Sequence, residues 1–145
     1  MLNLVPHRGL SGALQNAAEM TDLGWRNHVQ TVFGIDLLAA DPGRPGPLPN
    51  WADYYQLMHF AQDRYEFMMV DLPEVVNVAT AELVRNSRGV FVICTPELPS
   101  LKMAAYRCAE LEACEVPPNR IHVLLNRFER GGLTVADAEA ALGRP

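Results

Sequence analysis

The chain has 145 residues, of which 49% are hydrophobic and 20% charged, and its formal net charge is −5 at pH 7. This composition is typical of a soluble globular domain, and no apolar run approaches the roughly 20 residues of a membrane-spanning helix. The acidic net charge and the scattered basic residues argue against a nucleic-acid-binding protein. Because the N-terminus lacks the charged start and apolar centre of a signal peptide, we expect a cytoplasmic protein.

The cysteines and histidines indicate neither a disulfide framework nor a metal centre. The three cysteines are odd in number and have no metal-ligand spacing. The four histidines lie far apart in the sequence, with no pair at a ligand spacing. Cys94 falls within an apolar run and is predicted to be a small core residue.

The N-terminal third has the weakest periodicity. Residues 13–20 and 22–32 are predicted to be helices, with Gly24 weakening the second, and residues 34–40 are predicted to be a strand. The segment 41–50 is rich in proline and glycine but too short for a domain linker. We therefore expect residues 1–145 to form a single domain.

The remaining elements alternate between strands and helices. They are a strand over residues 67–70, a helix over roughly 75–86, a strand over 89–95, a helix after Ser100, a strand over 120–126 and a helix after Thr134. Another helix is predicted to start at Trp51, where Asn50 and Asp53 have the spacing of a capping box. Thr134 and Asp137 have the same spacing at the start of the last helix, and Gly143 marks its end.

Two of these helices have a predicted core-facing stripe. In the Trp51 helix it consists of Trp51, Tyr54, Tyr55, Met58 and Ala61, and in the helix after Ser100 it consists of Leu101, Ala104, Ala105, Cys108 and Leu111. The strands over 67–70, 89–95 and 120–126 are nearly continuous apolar runs, as in parallel sheets covered on both faces. The predicted fold class is therefore α/β, a three-layer open parallel sheet with helices on both faces.

Ligands of open α/β sheets bind at the C-terminal ends of the strands. The predicted strands end at Asp41, Asp71, Thr95 and Asn126. Asp71 follows four apolar residues and could hold a hydrated magnesium ion, or it could end a strand by hydrogen bonding the next loop. The amide of Asn126 could pair with a purine edge, or it could make a local turn.

The sequence contains no phosphate-binding loop, which requires a glycine-rich turn followed by Lys and Ser or Thr. Its one lysine, Lys102, follows Leu101 rather than glycine. The chain therefore offers an acid and an amide for a nucleotide but nothing that would hold its phosphates.

Residues 65–85, 89–102 and 121–128 together resemble, in chain order, the second half of a MinD/ParA-type P-loop ATPase. Residues 34–41 also resemble the family's strand before the acid-bearing one, so the resemblance covers nearly the whole chain in order. The branch that it resembles most is the CpaE-like (TadZ-like) branch of pilus assembly.

The resemblance implies ATP and Mg²⁺ as cofactors. It implies that Asp71 is the magnesium-side acid, with Pro73 as the proline that follows it, and that Asn126 contacts adenine within the Asn126-Arg127 pair. The family's first strand, its lysine loop and its final strand have no counterpart in this sequence. Since the first strand is central in the family's sheet, we expect open strand edges that are prone to pairing or aggregation.

The resulting hypothesis is a fragment of a MinD/ParA-like ATPase that positions or assembles pilus or secretion machinery. The fragment is expected to be inactive alone, while the longer family form is expected to dimerise around ATP. A different hypothesis is a nucleotide-free pseudo-ATPase that acts as a scaffold or localisation module. An unrelated flavodoxin-like or receiver-like α/β domain is a third reading, which the lack of a phosphate or flavin cradle after the strands disfavours.

Overall fold

A computed structural model describes residues 9–40, 50–73, 77–128 and 133–144. The chain forms two compact units, Met1–Asp71 and Leu72–Pro145. Among the described residues, no helix has the length and apolar character needed to cross a membrane. Asp41, predicted to end the first strand, lies outside the described residues.

The first unit consists of helices and one β-hairpin. Its elements are α1 (Leu10–Gln15), a 3₁₀ turn (Ala17–Glu19), α2 (Asp22–His28), β1 (Gln30–Val32), β2 (Ile35–Leu37) and α3 (Trp51–Gln62). The two strands are antiparallel, with Val32 opposite Ile35. Phe33 and Gly34 join them with φ of 52° and 79°, the positive values that a two-residue hairpin turn requires.

A buried cluster of apolar side chains forms the core of the first unit, namely Ala13, Leu14, Ala17, Trp25, Leu57 and Ala61. The indole Nε1 of Trp25 donates to Tyr65 Oη (2.7 Å), and Tyr65 Oη donates to Asp36 Oδ2 (2.6 Å). Thr31 also donates to the Asp36 carboxylate. These hydrogen bonds from Thr31 and Tyr65 lower the pKa of Asp36 and tie the hairpin to the core.

Several predictions for the first unit need correction. The predicted helix 22–32 ends at His28, because β-branched Thr31 and Val32 pair with the second strand of the hairpin instead. The predicted helix 13–20 is α1 followed by the 3₁₀ turn. The capping box of α3 is confirmed: Asn50 and Asp53 make reciprocal side-chain to backbone hydrogen bonds.

The second unit has the βαβ arrangement that the sequence predicted. Its elements are α4 (Val78–Asn86), β3 (Val90–Cys94), α5 (Leu98–Ala113), a 3₁₀ turn (Pro118–Arg120), β4 (Ile121–Leu125) and α6 (Val135–Leu142). β3 and β4 are parallel, and their register runs from Val90 opposite Ile121 to Cys94 opposite Leu125. The α/β class is thus confirmed, and β3 and β4 are the parallel strands among the described residues.

The prediction of a buried strand over residues 67–70 is wrong. These residues have extended backbone without a ladder, and their side chains are exposed, Met69 to 94%. An apolar run becomes a strand only where a neighbouring strand accepts and donates its backbone hydrogen bonds, and no described strand pairs with this run.

The two faces of the β3–β4 pair differ in coverage. One face packs against α4, α5 and α6 through two clusters that contain Val84, Cys94, Leu101, Ala104, Cys108, Leu111, Ile121 and Ala138. The other face exposes Phe91, Ile93 and Leu124, and Phe91 stacks on His122 with ring centroids 5.3 Å apart. The sequence predicted helices on both faces of the sheet. Among the described residues, helices cover one face of the β3–β4 pair.

We expect the exposed face of the pair to promote self-association. Replacement Ile93→Thr keeps a β-branched residue at a site that is 66% exposed, so it should change the free energy of unfolding by less than about 0.5 kcal/mol. Light scattering should show less self-association than in the parent chain at equal concentration.

The matched control for this prediction is Val92→Thr. Val92 is the preceding residue of β3, but it packs against both clusters of the covered face. Its replacement should cost about 1–2 kcal/mol without reducing self-association. Equal self-association of the parent chain and the Ile93→Thr variant would show that the exposed face is not responsible.

Candidate functional site

The acid that the sequence singled out, Asp71, is the last residue of the first unit. It is exposed, and no hydrogen bond or ion pair joins it to another described residue. It follows the extended segment 67–70 rather than a strand, so the predicted setting at a strand tip is not formed. Pro73 is also exposed, and the three residues after it lie outside the described part of the chain.

The tip of β3 is closed by hydrogen bonds with the start of α5. The backbone N–H of Thr95 donates to Ser100 Oγ (3.0 Å), and the Thr95 hydroxyl donates to the Glu97 carboxylate. Helix α5 begins at Leu98, with Glu97 at the N-cap and proline in the first turn. Ser100 is therefore inside the helix, and its predicted role as the cap is wrong.

The tip of β4 carries the predicted amide. The backbone N–H of Asn126 donates to Cys94 O (2.8 Å), which places this residue beside the end of β3. Its side-chain oxygen Oδ1 accepts from the Arg127 N–H (2.9 Å). Both residues are exposed, and Arg127 has a φ of 57°. The structure thus brings Asn126 and Arg127 together at the strand end, and Asn126 makes the local contact that was one of its two predicted roles.

The chemistry available at the tip of β4 is hydrogen-bond donation. Among the described residues no group accepts a hydrogen bond from the Nδ2 of Asn126, so both of its N–H groups are free to donate to a ligand. Ring nitrogens and carbonyl oxygens of nucleobases are suitable acceptors. The second lone pair of Oδ1 remains able to accept, which preserves some capacity for a base amino group.

The amide of Asn126 could donate to a nucleobase, but the sequence has no loop that fits a triphosphate. The exposed carboxylate of Asp71 has oxygens available for a magnesium ion that keeps most of its waters. Among the described residues there is no group of three His, Cys, Asp or Glu side chains that could hold a metal ion directly. The phosphates have no lysine loop in this sequence, so the residues do not fit that part of ATP.

The thiol of Cys94 is poorly suited to nucleophilic catalysis. Cys94 and Cys108 are buried, and all three cysteines are free. Burial raises the pKa of the Cys94 thiol, which disfavours the nucleophilic thiolate. Its predicted role as a core residue is confirmed.

Comparison with solved structures places this geometry in a known fold. The chain superposes on a ParA family ATPase from Chlorobium tepidum TLS with a TM-score of 0.84 over 99% of its length. The fold is ParA-like. Sequence identity is 20%, and the chain spans 61% of that protein's length, so this similarity establishes the fold alone. No protein-family model matches the sequence, and no curated protein matches it significantly.

Two features of this ParA-like fold were missed in the sequence. Pro99 could have placed the start of α5 correctly, because proline favours the first turn of a helix. The left-handed backbone of Arg127 had no such signal, because glycine or asparagine is the usual residue with positive φ.

Proposed function

We propose that this chain is part of an ATP-binding ATPase of the MinD/ParA type, from the CpaE-like (TadZ-like) branch. The observation that carries the proposal is the ParA-like fold over 99% of the chain. The resemblance of residues 65–85, 89–102 and 121–128 supports the branch. Such a protein would work in the cytoplasm with protein partners of pilus or secretion machinery and would dimerise with a second copy.

In this proposal the second unit supplies the contacts to the base. Asn126 would donate from Nδ2 to the adenine ring, and Arg127 would support that contact at the same strand end. Asp71 would lie on the magnesium side, with Pro73 turning the chain just after it. The free carboxylate of Asp71 supports this role, because no described partner competes for its oxygens.

The phosphates are the part of ATP that this chain does not hold. A phosphate loop supplies backbone N–H groups and a lysine charge, and without them a net charge of −5 repels the triphosphate. A loop of this kind would have to come from other polypeptide, together with the strands that complete a three-layer sheet. We therefore expect no ATP hydrolysis by this chain alone.

A nucleotide-free scaffold or localisation module is the second candidate. The absence of a phosphate loop from the sequence favours it, and so does the exposed apolar face of Phe91, Ile93 and Leu124. A scaffold of this kind would bind its partners through its surface, and Asn126 would serve only to end β4.

Nuclear magnetic resonance with adenosine separates the two candidates, because adenosine needs no phosphate site. We expect millimolar adenosine to shift the Asn126 and Arg127 resonances of the ¹⁵N-labelled chain. Replacement Asn126→Ala should weaken binding about three- to tenfold, the loss of one modest hydrogen bond. Asn86→Ala is the control, since Asn86 is exposed at the end of α4 and its side chain donates to Glu82 O within the same helix. If adenosine shifts no resonance at the tip of β4, the nucleotide proposal fails and the scaffold is favoured.

A further inference from the structure

The first unit contains a cavity that the nucleotide proposal does not use. Its volume is about 200 Å³, and its lining comes from the 3₁₀ turn, α2 and the residues next to them. Asn16, Glu19 and Asn27 of the lining are exposed and His28 is buried, so the cavity opens to solvent on one side. At roughly 30 Å³ per water it has room for about seven waters, less than the roughly 300–1,000 Å³ of a drug-sized ligand site. It therefore suits a small ligand that enters from solvent.

The polar side chains of the cavity offer hydrogen-bond acceptors. The Glu19 carboxylate and the Asn27 amide make no hydrogen bond or ion pair with another described residue. The Nδ2 of Asn16 donates to Gly12 O (2.8 Å), which leaves its Oδ1 available as an acceptor. Acceptor oxygens on three side chains are thus accessible to a ligand that carries several N–H donors.

The charge of the cavity selects the class of ligand. Glu19 is negative, and none of the described residues that line the cavity is Lys or Arg. The nearby acid Asp22 is paired with Arg64, whereas Glu19 has no such partner among the described residues. An anion would be repelled by Glu19. In the described part of the chain, no group of three His, Cys, Asp or Glu could hold a metal ion. An organic cation with N–H donors therefore fits best.

The wall beside Gly24 provides the apolar contact. A Cβ built at Gly24 would lie 3.2 Å from Thr21 Oγ1 and 3.4 Å from Met20 Sδ, so a side chain here would crowd the lining. The Gly24 N–H also donates to Thr21 Oγ1 (3.1 Å), which fixes this wall. The thioether of Met20 is soft and polarizable, and it suits contact with a flat cation or an alkyl chain.

We propose that this cavity binds a guanidinium group carried by a short alkyl chain. A guanidinium is planar, has five N–H donors and is more weakly hydrated than an ammonium. Its donors match the acceptors of Asn16, Glu19 and Asn27, and the alkyl chain would lie along Met20. Free small molecules and arginine side chains carry the same group. The proposal does not depend on nucleotide binding, because the proposed base contacts lie in the second unit.

Nuclear magnetic resonance with a charged ligand and its neutral counterpart tests the proposal. We expect n-butylguanidinium to shift the Gly24 and Asn27 amide resonances of the ¹⁵N-labelled chain, with a dissociation constant of roughly 1–10 mM. The uncharged n-butylurea has nearly the same shape and should bind at least about threefold more weakly. If the two ligands bind equally, or if n-butylguanidinium shifts no resonance of the lining, the cavity holds only water and the proposal is wrong.

Variants of the lining test which residues bind the cation. Glu19→Gln should weaken binding of n-butylguanidinium about two- to fivefold, as expected for an exposed ion pair. The control Glu66→Gln removes the same charge from an exposed residue of the first unit outside the lining, so its affinity should not change. Gly24→Ala favours the helix but narrows the cavity, and it should weaken binding about fivefold. Equal losses in Glu19→Gln and Glu66→Gln would show that net charge alone attracts the cation, which contradicts the proposal.

A third ligand identifies the source of the guanidinium. N-acetyl-arginine N-methylamide carries a peptide group on each side of the arginine, as a protein partner would. Binding within twofold of n-butylguanidinium assigns the cavity to an arginine of a partner, whereas binding at least fivefold weaker assigns it to a free small molecule. The adenosine titration reports on the tip of β4 in the second unit, so failure of either proposal leaves the other unaffected.

Discussion

Replacement Leu101→Ala is expected to lower the free energy of unfolding of the second unit by about 3 kcal/mol. Leu101 is 0% exposed and packs in α5 against Cys94 of β3 and Ala138 of α6. Removing its branched end leaves a cavity where three elements meet, and small neighbours such as Ala104 cannot fill it. Because both tryptophans lie in the first unit, far-ultraviolet circular dichroism or hydrogen exchange of α5 amides is the suitable measurement.

Leu98→Ala is the matched control, because it makes the same change in the same helix. Leu98 is 54% exposed in the first turn of α5, so the substitution should change the unfolding free energy by less than about 0.5 kcal/mol. Equal destabilisation by the two variants would contradict the position of Leu101 in the core.

Replacement Tyr65→Phe is expected to destabilise the first unit by about 2 kcal/mol. The Tyr65 hydroxyl accepts from the buried Trp25 indole and donates to Asp36, so its loss leaves two groups without that partner. Urea unfolding followed by tryptophan fluorescence measures the effect. The pKa of Asp36 should rise in the variant, because one of the two hydrogen bonds that lower it is removed.

The control for Tyr65 is Tyr55→Phe in α3. Tyr55 is 55% exposed, and its ring contacts Trp51 and His59 without a hydrogen bond from its hydroxyl to another described residue. The variant should unfold at nearly the same urea concentration as the parent chain. A Tyr65→Phe variant with unchanged stability and an unchanged Asp36 pKa would show that the network does not hold the hairpin.

The parts of the fold that the sequence predicted well depend on local signals. The capping boxes at Asn50 and Thr134 form as expected, because each needs only residues three positions apart. Four of the five predicted core residues of α5 are buried, namely Leu101, Ala104, Cys108 and Leu111. A helix that connects two parallel strands packs one face against them, so the helical spacing of its apolar residues identifies the buried face.

The errors occur where a distant partner decides the outcome. Residues 67–70 have the composition of a buried strand, but a ladder requires a neighbouring strand that the run alone does not reveal. Residues 30–32 continue a helical pattern, yet they pair across the Phe33–Gly34 turn. In α3 the predicted stripe included the exposed Tyr55 and omitted the buried Leu57, because the other helices of the first unit determine which face is covered.

In the candidate site, too, some features were predicted from local sequence signals and others were not. Asn126 was predicted as a strand-end residue and lies at the end of β4, while the left-handed backbone of Arg127 had no signal in the sequence. Asp71 is exposed, so its carboxylate oxygens are accessible to a hydrated cation. The strand expected to present Asp71 is not formed. The assignment of Asp71, Pro73, Asn126 and Arg127 to a nucleotide site remains a prediction.

Calorimetric titration of this chain with adenosine and with Mg-ATP tests the central claim most directly. Both ligands should bind weakly, with dissociation constants of roughly 1 mM or above, a binding free energy of about −4 kcal/mol or weaker. Mg-ATP should bind no more than about threefold more tightly than adenosine, because the sequence holds no loop for the phosphates. A micromolar dissociation constant for Mg-ATP would contradict the account, since it would require a phosphate site that these residues do not form.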